Sequence, residues 1–299
     1  MKLVTWNTQW CRGLDGVVSA HRIVEGAQAL AGAGGFDVLC LQEIAQGYPD
    51  LPGGPGDQPA ELAALLPGYR LFFGAAVDEF DADGRRQRFG NLVATRLPVL
   101  QVLHQPLPWP AEGSVPSMPR MCTMVTLRDP ALGALRIMTT HLEFYAPRQR
   151  TAQAEALRAL QLQACGHTAA PPQPLPEHGG WPFRPKTHTP HAVLCGDFNM
   201  GPDDPAYARL VTPFQANELA PGAPASAGAA WSLHDAWKLL HGAAPQPATF
   251  RLFDRSYGPD PVTCDFAFVS GSLAPHVRAL RIDGQTRVSD HQPVLLVLD

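Results

Sequence analysis

Short apolar runs and amphipathic stretches alternate along the chain, which predicts strands separated by helices. Ser19 precedes a stretch whose apolar residues fall on one face, so we predict a helix with Ser19 as its N-cap. Pro147 and Asp204-Pro205 mark two further helix starts. The predicted strands are 3–7, 37–43, 69–77, 91–95, 99–103, 121–127, 135–141, 191–197, 263–269 and 293–298, and the predicted helices are 19–31, 60–66, 148–164, a short one after Asp204, and 233–240.

The order of these elements indicates a mixed α/β (α+β) architecture. Strands alternate with helices in each half, and the dipeptide Asp83-Gly84 predicts a hairpin between two strands. No internal repeat and no boundary separates a second domain, so we predict one domain over residues 1–299. Two packed mixed sheets flanked by helices fit this pattern best.

Polar residues stand where several buried strands are predicted to end. Asp197 and Asn199 follow the run 191–194, and residues two apart in an extended strand point the same way. A carboxylate and an amide would then face one spot, although an Asp that caps a helix and an Asn in a turn would read the same. The other strand ends carry Asn7, Glu43, His141 and Asp290-His291.

Asp265 lies inside the predicted strand Cys264-Asp265-Phe266-Ala267-Phe268. Cys264, Phe266 and Phe268 are predicted to share one face, with Asp265 on the other. A buried unpaired carboxylate is costly, so Asp265 needs a partner. We predict that this partner is His291, whose tautomer a carboxylate would fix. The alternative is an Asp that accepts from backbone amides.

A second inference concerns the proline-rich stretch 171–190, which is predicted to be a loop. If the strands before His141 and Asp197 feed one site, they end at the same edge of a sheet. The helix between them must then return to the opposite edge. We therefore expect the proline-rich loop to lie far from Asp197.

Composition narrows the class of protein. The net charge of −4 gives no general attraction to nucleic acid or to an anionic membrane. The six cysteines form no C-x-x-C pair, so neither a zinc site nor a redox motif is indicated. No apolar run is long enough for membrane insertion, and no secretory signal is apparent, so we expect a cytoplasmic protein. No protein partner is predicted.

The grouping of acids, amides and histidines at strand ends suits a Mg²⁺ or Mn²⁺ ion facing a phosphate. Several short motifs also occur in an order that resembles a known family, the endonuclease/exonuclease/phosphatase superfamily of deoxyribonuclease-like enzymes. They are Thr5-Trp6-Asn7, Leu41-Gln42-Glu43, 90–96, Thr139-Thr140-His141-Leu142, Gly196-Asp197-Phe198-Asn199, Cys264-Asp265-Phe266 and Ser289-Asp290-His291.

The resemblance implies a four-layered α/β sandwich and a role for each motif residue. Glu43 would be the main metal carboxylate, helped by Asn7 and by Asp290. Asp197 would orient or deprotonate the attacking water, beside Asn199 as a holder of phosphate or water. His291, supported by Asp265, would stabilise the phosphate, although the choice of Asp197 or His291 as general base stays open. His141 would bind phosphate or protonate the leaving group, and Asn91 is a further candidate donor to substrate.

The implied reaction is metal-dependent hydrolysis of a phosphoester by in-line attack of an activated water. The substrate is left open between nucleic acid, phospholipid, sugar phosphate and other small phosphoesters, and a binding module without catalysis is a further alternative. Arg85-Arg86-Gln87-Arg88 is the one dense basic cluster, either a grip for nucleic acid or a solvated face. The loops 8–18, 44–59, 104–119 and 251–262 are predicted to surround the site. Asp235 is predicted to be structural.

Overall fold

The computed structural model describes residues 1–173, 182–224 and 226–299. The described strands are β1 (Lys2–Asn7), β2 (Val38–Gln46), β3 (Arg70–Phe80), β4 (Arg86–Thr95), β5 (Val99–Pro106), β6 (Met121–Asp129), β7 (Gly133–His141), β8 (Ala192–Asp197), β9 (Leu233–Asp235), β10 (Asp265–Ser270), β11 (Val277–Ile282) and β12 (Val294–Leu298). The described helices are α1 (Ala20–Ala31), α2 (Gln58–Leu65), α3 (Pro147–Ala169), α4 (Pro205–Val211), α5 (Ala227–Trp231) and α6 (Ala236–His241). None of these helices combines the length and the apolar character needed to span a bilayer.

The strands of the described ranges form two six-stranded mixed sheets. The first sheet has the order β11-β12-β1-β2-β4-β3, and the second has the order β5-β6-β7-β8-β10-β9. β1 runs parallel to β2, and β7 runs parallel to β8. Because parallel neighbours end at the same edge of a sheet, each sheet brings two strand ends together.

The two sheets pack face to face with helices on the outside. Val38 and Val193 are fully buried in the core between the sheets. Ile23 of α1 covers the outer face of the first sheet, and Leu157 of α3 covers the outer face of the second. Complete burial of each such side chain contributes about 1.5–3 kcal/mol. The predicted four-layered α/β sandwich is thus confirmed.

Two of the predicted helix starts are confirmed by capping bonds, and the start at Pro147 is confirmed by the position of the proline. The Ser19 side chain accepts from the backbone amide of Arg22, and Asp204 accepts from that of Ala206. Pro147 and Pro205 occupy the first turns of α3 and α4, where the missing proline N–H costs nothing. These caps fix where each helix departs from its sheet.

The prediction that the second strand ends on Glu43 is wrong. β2 continues to Gln46, and the register against β4 shifts between Leu41 and Ile44. Glu43 lies in this bulge with a φ of 60°, a left-handed conformation that is uncommon for a residue other than glycine. The bulge turns the Glu43 carboxylate out of the regular alternation of the strand.

The stretch 233–240 is only partly helical, so that prediction is corrected as well. Its first residues form β9, which pairs with β10, and α6 begins at Ala236. The Asp235 side chain caps α6 and also accepts from the Tyr207 hydroxyl at 2.8 Å, as expected of a structural residue. β11 was not predicted, since its alternating charged residues resemble a loop.

The geometry of β7 and β8 places their ends as predicted. His141 lies directly opposite Asp197 in the parallel pair. Gly196, which precedes Asp197 and lies opposite Thr140, has a φ of 138°, and a Cβ there would approach the Thr140 carbonyl oxygen to 2.0 Å, so only glycine fits. At the other end, the Thr189 hydroxyl donates to the Ala134 carbonyl, so the described end of the proline-rich stretch lies at the opposite edge. Residues 174–181 of that stretch lie outside the described residues.

Candidate active site

Asn7 joins the ends of the two sheets at the centre of the site. Its amide nitrogen donates to Glu43 Oε1 at 3.0 Å and to Asp197 Oδ2 at 2.9 Å. Its amide oxygen accepts from the backbone of Gln9 at 3.1 Å, which fixes the orientation of the amide. Two carboxylates from different sheets therefore meet at one side chain, although 154 residues of sequence separate them.

Asp197 is almost fully buried, with 1% of its surface exposed. Its Oδ1 accepts from the backbone amide of Asn199 at 2.9 Å. Its Oδ2 lies 3.4 Å from Nε2 of His141 and 3.7 Å from Nε2 of His291. Burial raises the pKa of Asp197 to about 6, although His291 acts in the opposite direction. The carboxylate is thus poised to exchange a proton near neutral pH.

His291 is held by Asp265, as the sequence predicted. Its Nδ1 lies 2.9 Å from Asp265 Oδ2, and its ring stacks on Phe250 with the ring centroids 4.3 Å apart. Burial works against a charged imidazole, but the carboxylates of Asp265 and Asp197 raise the pKa of His291 well above its usual value. His291 therefore carries a positive charge and presents Nε2–H toward Asp197.

His141, unlike His291, is neutral. Burial, together with the positive charges of Arg120 and His291, lowers its pKa well below the usual value, so the ring is neutral. Its Nε2 lies 2.9 Å from the Asn199 amide nitrogen, which also donates to the Leu142 carbonyl. Because Asn199 is a donor in this contact, Nε2 of His141 is an acceptor and Nδ1 carries the proton. Nδ1 faces Glu43 Oε1 at 3.9 Å.

Glu43 and Asp290 form an acidic pair whose charge His291 offsets only in part. Burial and the neighbouring Asp290 raise the pKa of Glu43 to about 7, and burial also raises the pKa of Asp290. Neither carboxylate forms an ion pair with a described lysine or arginine. Carboxylate oxygens are ligands that Mg²⁺ and Mn²⁺ prefer, so Glu43 and Asp290 fit such an ion. Asn7 presents its amide nitrogen rather than its oxygen to Glu43, so its role as a metal ligand stays a prediction.

A tighter cluster combines Asp197, Cys264 and His291, whose ligand atoms lie within 4.8 Å of one another. It includes a soft thiol whose pKa burial raises well above its usual value, and it includes a charged imidazole. A hard cation has little affinity for that set.

The prediction that Cys264 shares a face with Phe266 and Phe268 is wrong. Its Sγ lies 3.5 Å from Asp265 Oδ2 instead.

Arg120 is a residue of the site that the sequence did not indicate. Its Nε donates to Glu143 Oε2 at 3.2 Å, and both side chains are buried. The Nη1 atom is buried without a hydrogen-bond partner, and the side chain lines the cavity beside His141. Arg120 follows a proline-rich loop with no local motif, so only its pairing with Glu143 in three dimensions reveals it.

The site opens into a cavity of about 240 Å³. Gln9 and Trp10 come from the predicted loop 8–18, Met118 from 104–119 and Tyr257 from 251–262, whereas 44–59 contributes no lining residue. A second cavity of about 560 Å³ shares three of its lining residues. They are Phe144, Asn199 and Phe250.

Asn91 is buried, and its amide nitrogen donates to the Met121 carbonyl at 3.1 Å. It lines a small recess with Glu43, Arg120 and His141, next to the main cavity. One donor N–H of this amide is thus used within the protein. A role in substrate binding stays a prediction.

Comparison with known proteins agrees with this geometry. The family model described as "Endonuclease/Exonuclease/phosphatase family" matches residues 4–291. The chain belongs to this family. A comparison with curated proteins gave no match. The family relationship accounts for the shared order of the strand-end motifs.

Solved structures of the endonuclease/exonuclease/phosphatase family share the fold. An endonuclease/exonuclease/phosphatase from Beutenbergia cavernae is 24% identical, with a TM-score of 0.66 over 100% of this chain and 71% of that one. A mannosyl-6-phosphatase from Bacteroides thetaiotaomicron is 17% identical, with a TM-score of 0.63 over 100% and 99%. The human Nocturnin catalytic domain with a bound sulfate anion is 18% identical, with a TM-score of 0.57 over 100% and 94%.

Proposed function

We propose that the protein hydrolyses a phosphoester with the help of a divalent cation, by in-line attack of a water molecule. The observation that carries the proposal is the double hydrogen bond of Asn7, which brings Glu43 and Asp197 to one point beside a charged His291. Membership of a family of hydrolytic phosphoesterases supports it. A binding module without catalysis would have no use for this combination of acid, base and cation.

The cation would be held by Glu43 and Asp290, and the Asn7 amide, whose nitrogen donates to Glu43, would hold that carboxylate in place. A bound Mg²⁺ or Mn²⁺ neutralises phosphate charge and lowers the pKa of bound water. The raised pKa of Glu43 beside Asp290 supports this assignment, because a divalent charge would offset the repulsion between the two carboxylates.

Asp197 is proposed as the group that orients the attacking water and takes its proton. Its Oδ1 is fixed by the Asn199 amide, and its pKa of about 6 allows it to accept a proton at neutral pH. His291 already carries its proton because Asp265 stabilises the imidazolium. A charged ring suits the stabilisation of developing phosphate charge better than it suits the removal of a proton.

His141 is proposed as a hydrogen-bond donor to phosphate rather than as an acid for the leaving group. Its neutral ring has no proton to transfer at Nε2, which accepts from Asn199. Nδ1–H points to the side of the site that holds Glu43. Arg120 beside it supplies a second donor, since its Nη1 has no partner within the protein.

A compact substrate fits the site better than a long nucleic acid. Arg85 pairs with Asp81 and Asp83, and Arg86 pairs with Asp78, so the one dense basic cluster is largely neutralised. The active-site cavity instead has a wall rich in aromatic side chains, including Trp10, Tyr145 and Tyr257, which suits a sugar or another ring. We therefore propose a sugar phosphate or a similar small phosphoester as substrate, with phospholipid and nucleic acid as the competing classes.

The test is metal-dependent hydrolysis of bis-p-nitrophenyl phosphate, followed by a panel of sugar phosphates, phospholipids, DNA and RNA. We expect EDTA to abolish turnover and Mg²⁺ or Mn²⁺ to restore it. Activity that survives exhaustive chelation would contradict the metal assignment. Faster turnover of DNA or RNA than of any small phosphoester would contradict the substrate class while leaving the reaction itself intact.

A further inference from the structure

Arg136 is a buried cation on the outer face of the second sheet, beneath α3. Only 8% of its surface is exposed. Its Nη2 donates to Gln161 Oε1, its Nη1 lies 3.7 Å from the sulfur of Met138, and its Nε is buried without a partner. No aspartate or glutamate of the described ranges forms an ion pair with it. An uncompensated buried guanidinium is costly, so this position needs an explanation.

Arg136 lines a cavity of about 240 Å³ between β5, β6 and α3. Apart from two histidines, the other polar groups of the lining are neutral, namely Gln101, Gln105, Thr126, Gln163 and Thr187. His167 and His188 stack at its rim with ring centroids 4.9 Å apart. Burial and the nearby His167 lower the pKa of His188, so that ring adds no permanent charge. The cavity thus holds one fixed charge, and that charge is positive.

The cavity also has an apolar wall, which includes Leu103, Met124 and Leu160. An anion with a small organic portion would fit both the positive charge of Arg136 and this apolar wall.

Arg136 and His141 are five residues apart on β7, which is about 16 Å along an extended strand. The cavity is therefore separate from the candidate active site.

We propose that this cavity binds a small oxyanion, a carboxylate or a phosphate, with Arg136 as its counter-charge. The free Nε–H and the neighbouring Nη of a guanidinium form the edge that grips such anions in two parallel hydrogen bonds. The amides of Gln101, Gln105 and Gln163 supply additional donors. The inference is independent of the proposed reaction, since none of these residues lies at that site.

The experiment measures binding of butyrate and of inorganic phosphate to the full chain by isothermal titration calorimetry. Divalent metal is removed beforehand on a chelating resin, which suppresses metal-dependent phosphate binding at the candidate active site without adding a competing carboxylate, and sodium chloride keeps the ionic strength constant. Butyrate tests whether the cavity binds a carboxylate, and inorganic phosphate tests whether it binds a phosphate. We expect saturable binding of at least one of them.

Two variants test the location. Arg136→Met removes the charge, and Ala164→Trp fills the cavity while leaving the guanidinium in place. Each should weaken binding about tenfold or more, because each removes a main contact of the anion. Arg128→Met is the matched control, since Arg128 is an exposed arginine on the adjacent strand β6, and it should bind like the wild type.

Two results would overturn the proposal. The first is that the wild type binds neither anion at millimolar concentration. The second is that Arg136→Met, shown to be folded by circular dichroism, binds as tightly as the wild type.

Discussion

The two ends of β7 carry opposite imbalances of charge. At the His141 end, the carboxylates of Glu43, Asp197, Asp265 and Asp290 outnumber the cations of His291 and Arg120. At the other end, Arg136 is buried with no carboxylate partner among the described residues. A folded chain normally pairs its buried charges, so each imbalance indicates a place that a ligand completes. The first end calls for a cation and the second for an anion.

The largest predicted effect is a loss of turnover when a carboxylate is removed at the His141 end of β7, which we call the acidic end. Asp197→Asn and Glu43→Gln each keep the shape of the side chain but remove a carboxylate, and we expect turnover to fall about a thousandfold or more. The measurement is the initial rate of bis-p-nitrophenyl phosphate hydrolysis in saturating Mg²⁺. Glu25→Gln, on the exposed side of α1, is the control and should keep full activity. Folded variants with wild-type rates would refute the assigned roles.

A second prediction concerns the stability of the metal-free protein. The pKa of Glu43 rises from 4.5 to about 7 on folding, mainly because of burial. The folded chain thus holds this proton to higher pH than the unfolded chain, and stability falls as pH rises between these values. Glu43→Gln removes the effect. In EDTA the variant should match the wild type near pH 4 and exceed it by about 3 kcal/mol near pH 8, since one pKa unit corresponds to about 1.4 kcal/mol.

Urea unfolding at both pH values measures this difference. Saturating Mg²⁺ should reverse it at the higher pH, because the ion stabilises only the protein that retains its carboxylate ligand. An equal difference between variant and wild type at both pH values would show that Glu43 does not titrate as described.

Removing the buried charge of Arg136, toward the other end of β7, should also stabilise the protein, but by less than Glu43→Gln does. Arg136→Met removes a buried, unpaired cation and fills its space with an apolar chain, so we expect stability to rise by about 1 kcal/mol. Part of the gain is lost because Gln161 Oε1 loses its donor. Arg128→Met should change the free energy of unfolding little. Destabilisation by Arg136→Met would mean that its bonds to Gln161 and Met138 outweigh the cost of the charge.

The contrast between the ends also explains what the sequence could and could not predict. Asp197 and Asn199 follow an apolar run and His291 precedes one, and short-range patterns locate strand ends well. The bulge at Glu43 depends on pairing with β4, which no local pattern encodes. Arg120 and Phe250 reach the site from loops, and only the folded chain brings them to His141 and His291.

The same reasoning separates the strands that were predicted from those that were missed. β8 and β12 are buried on both faces and appear as continuous apolar runs. β11 exposes Arg278 and Arg281 on one side and has only β12 as a neighbour, so its pattern is that of a charged edge. Arg136, a lone charge within the apolar run of β7, was visible in the sequence, but its missing partner was not.

The smallest predicted effect is on turnover after the proline-rich stretch is shortened, and it tests whether the two ends of β7 are independent. Deleting residues 174–181 shortens the proline-rich stretch, whose described end is anchored by Thr189 to the start of β7. Because that edge lies opposite His141 and Asp197, turnover should stay within about twofold of the wild type, as a change in loop length alone costs little. The initial rate and the unfolding midpoint are measured together. A large loss of turnover at an unchanged midpoint would show that the stretch reaches the acidic end after all, and the separation of the two ends would then be wrong.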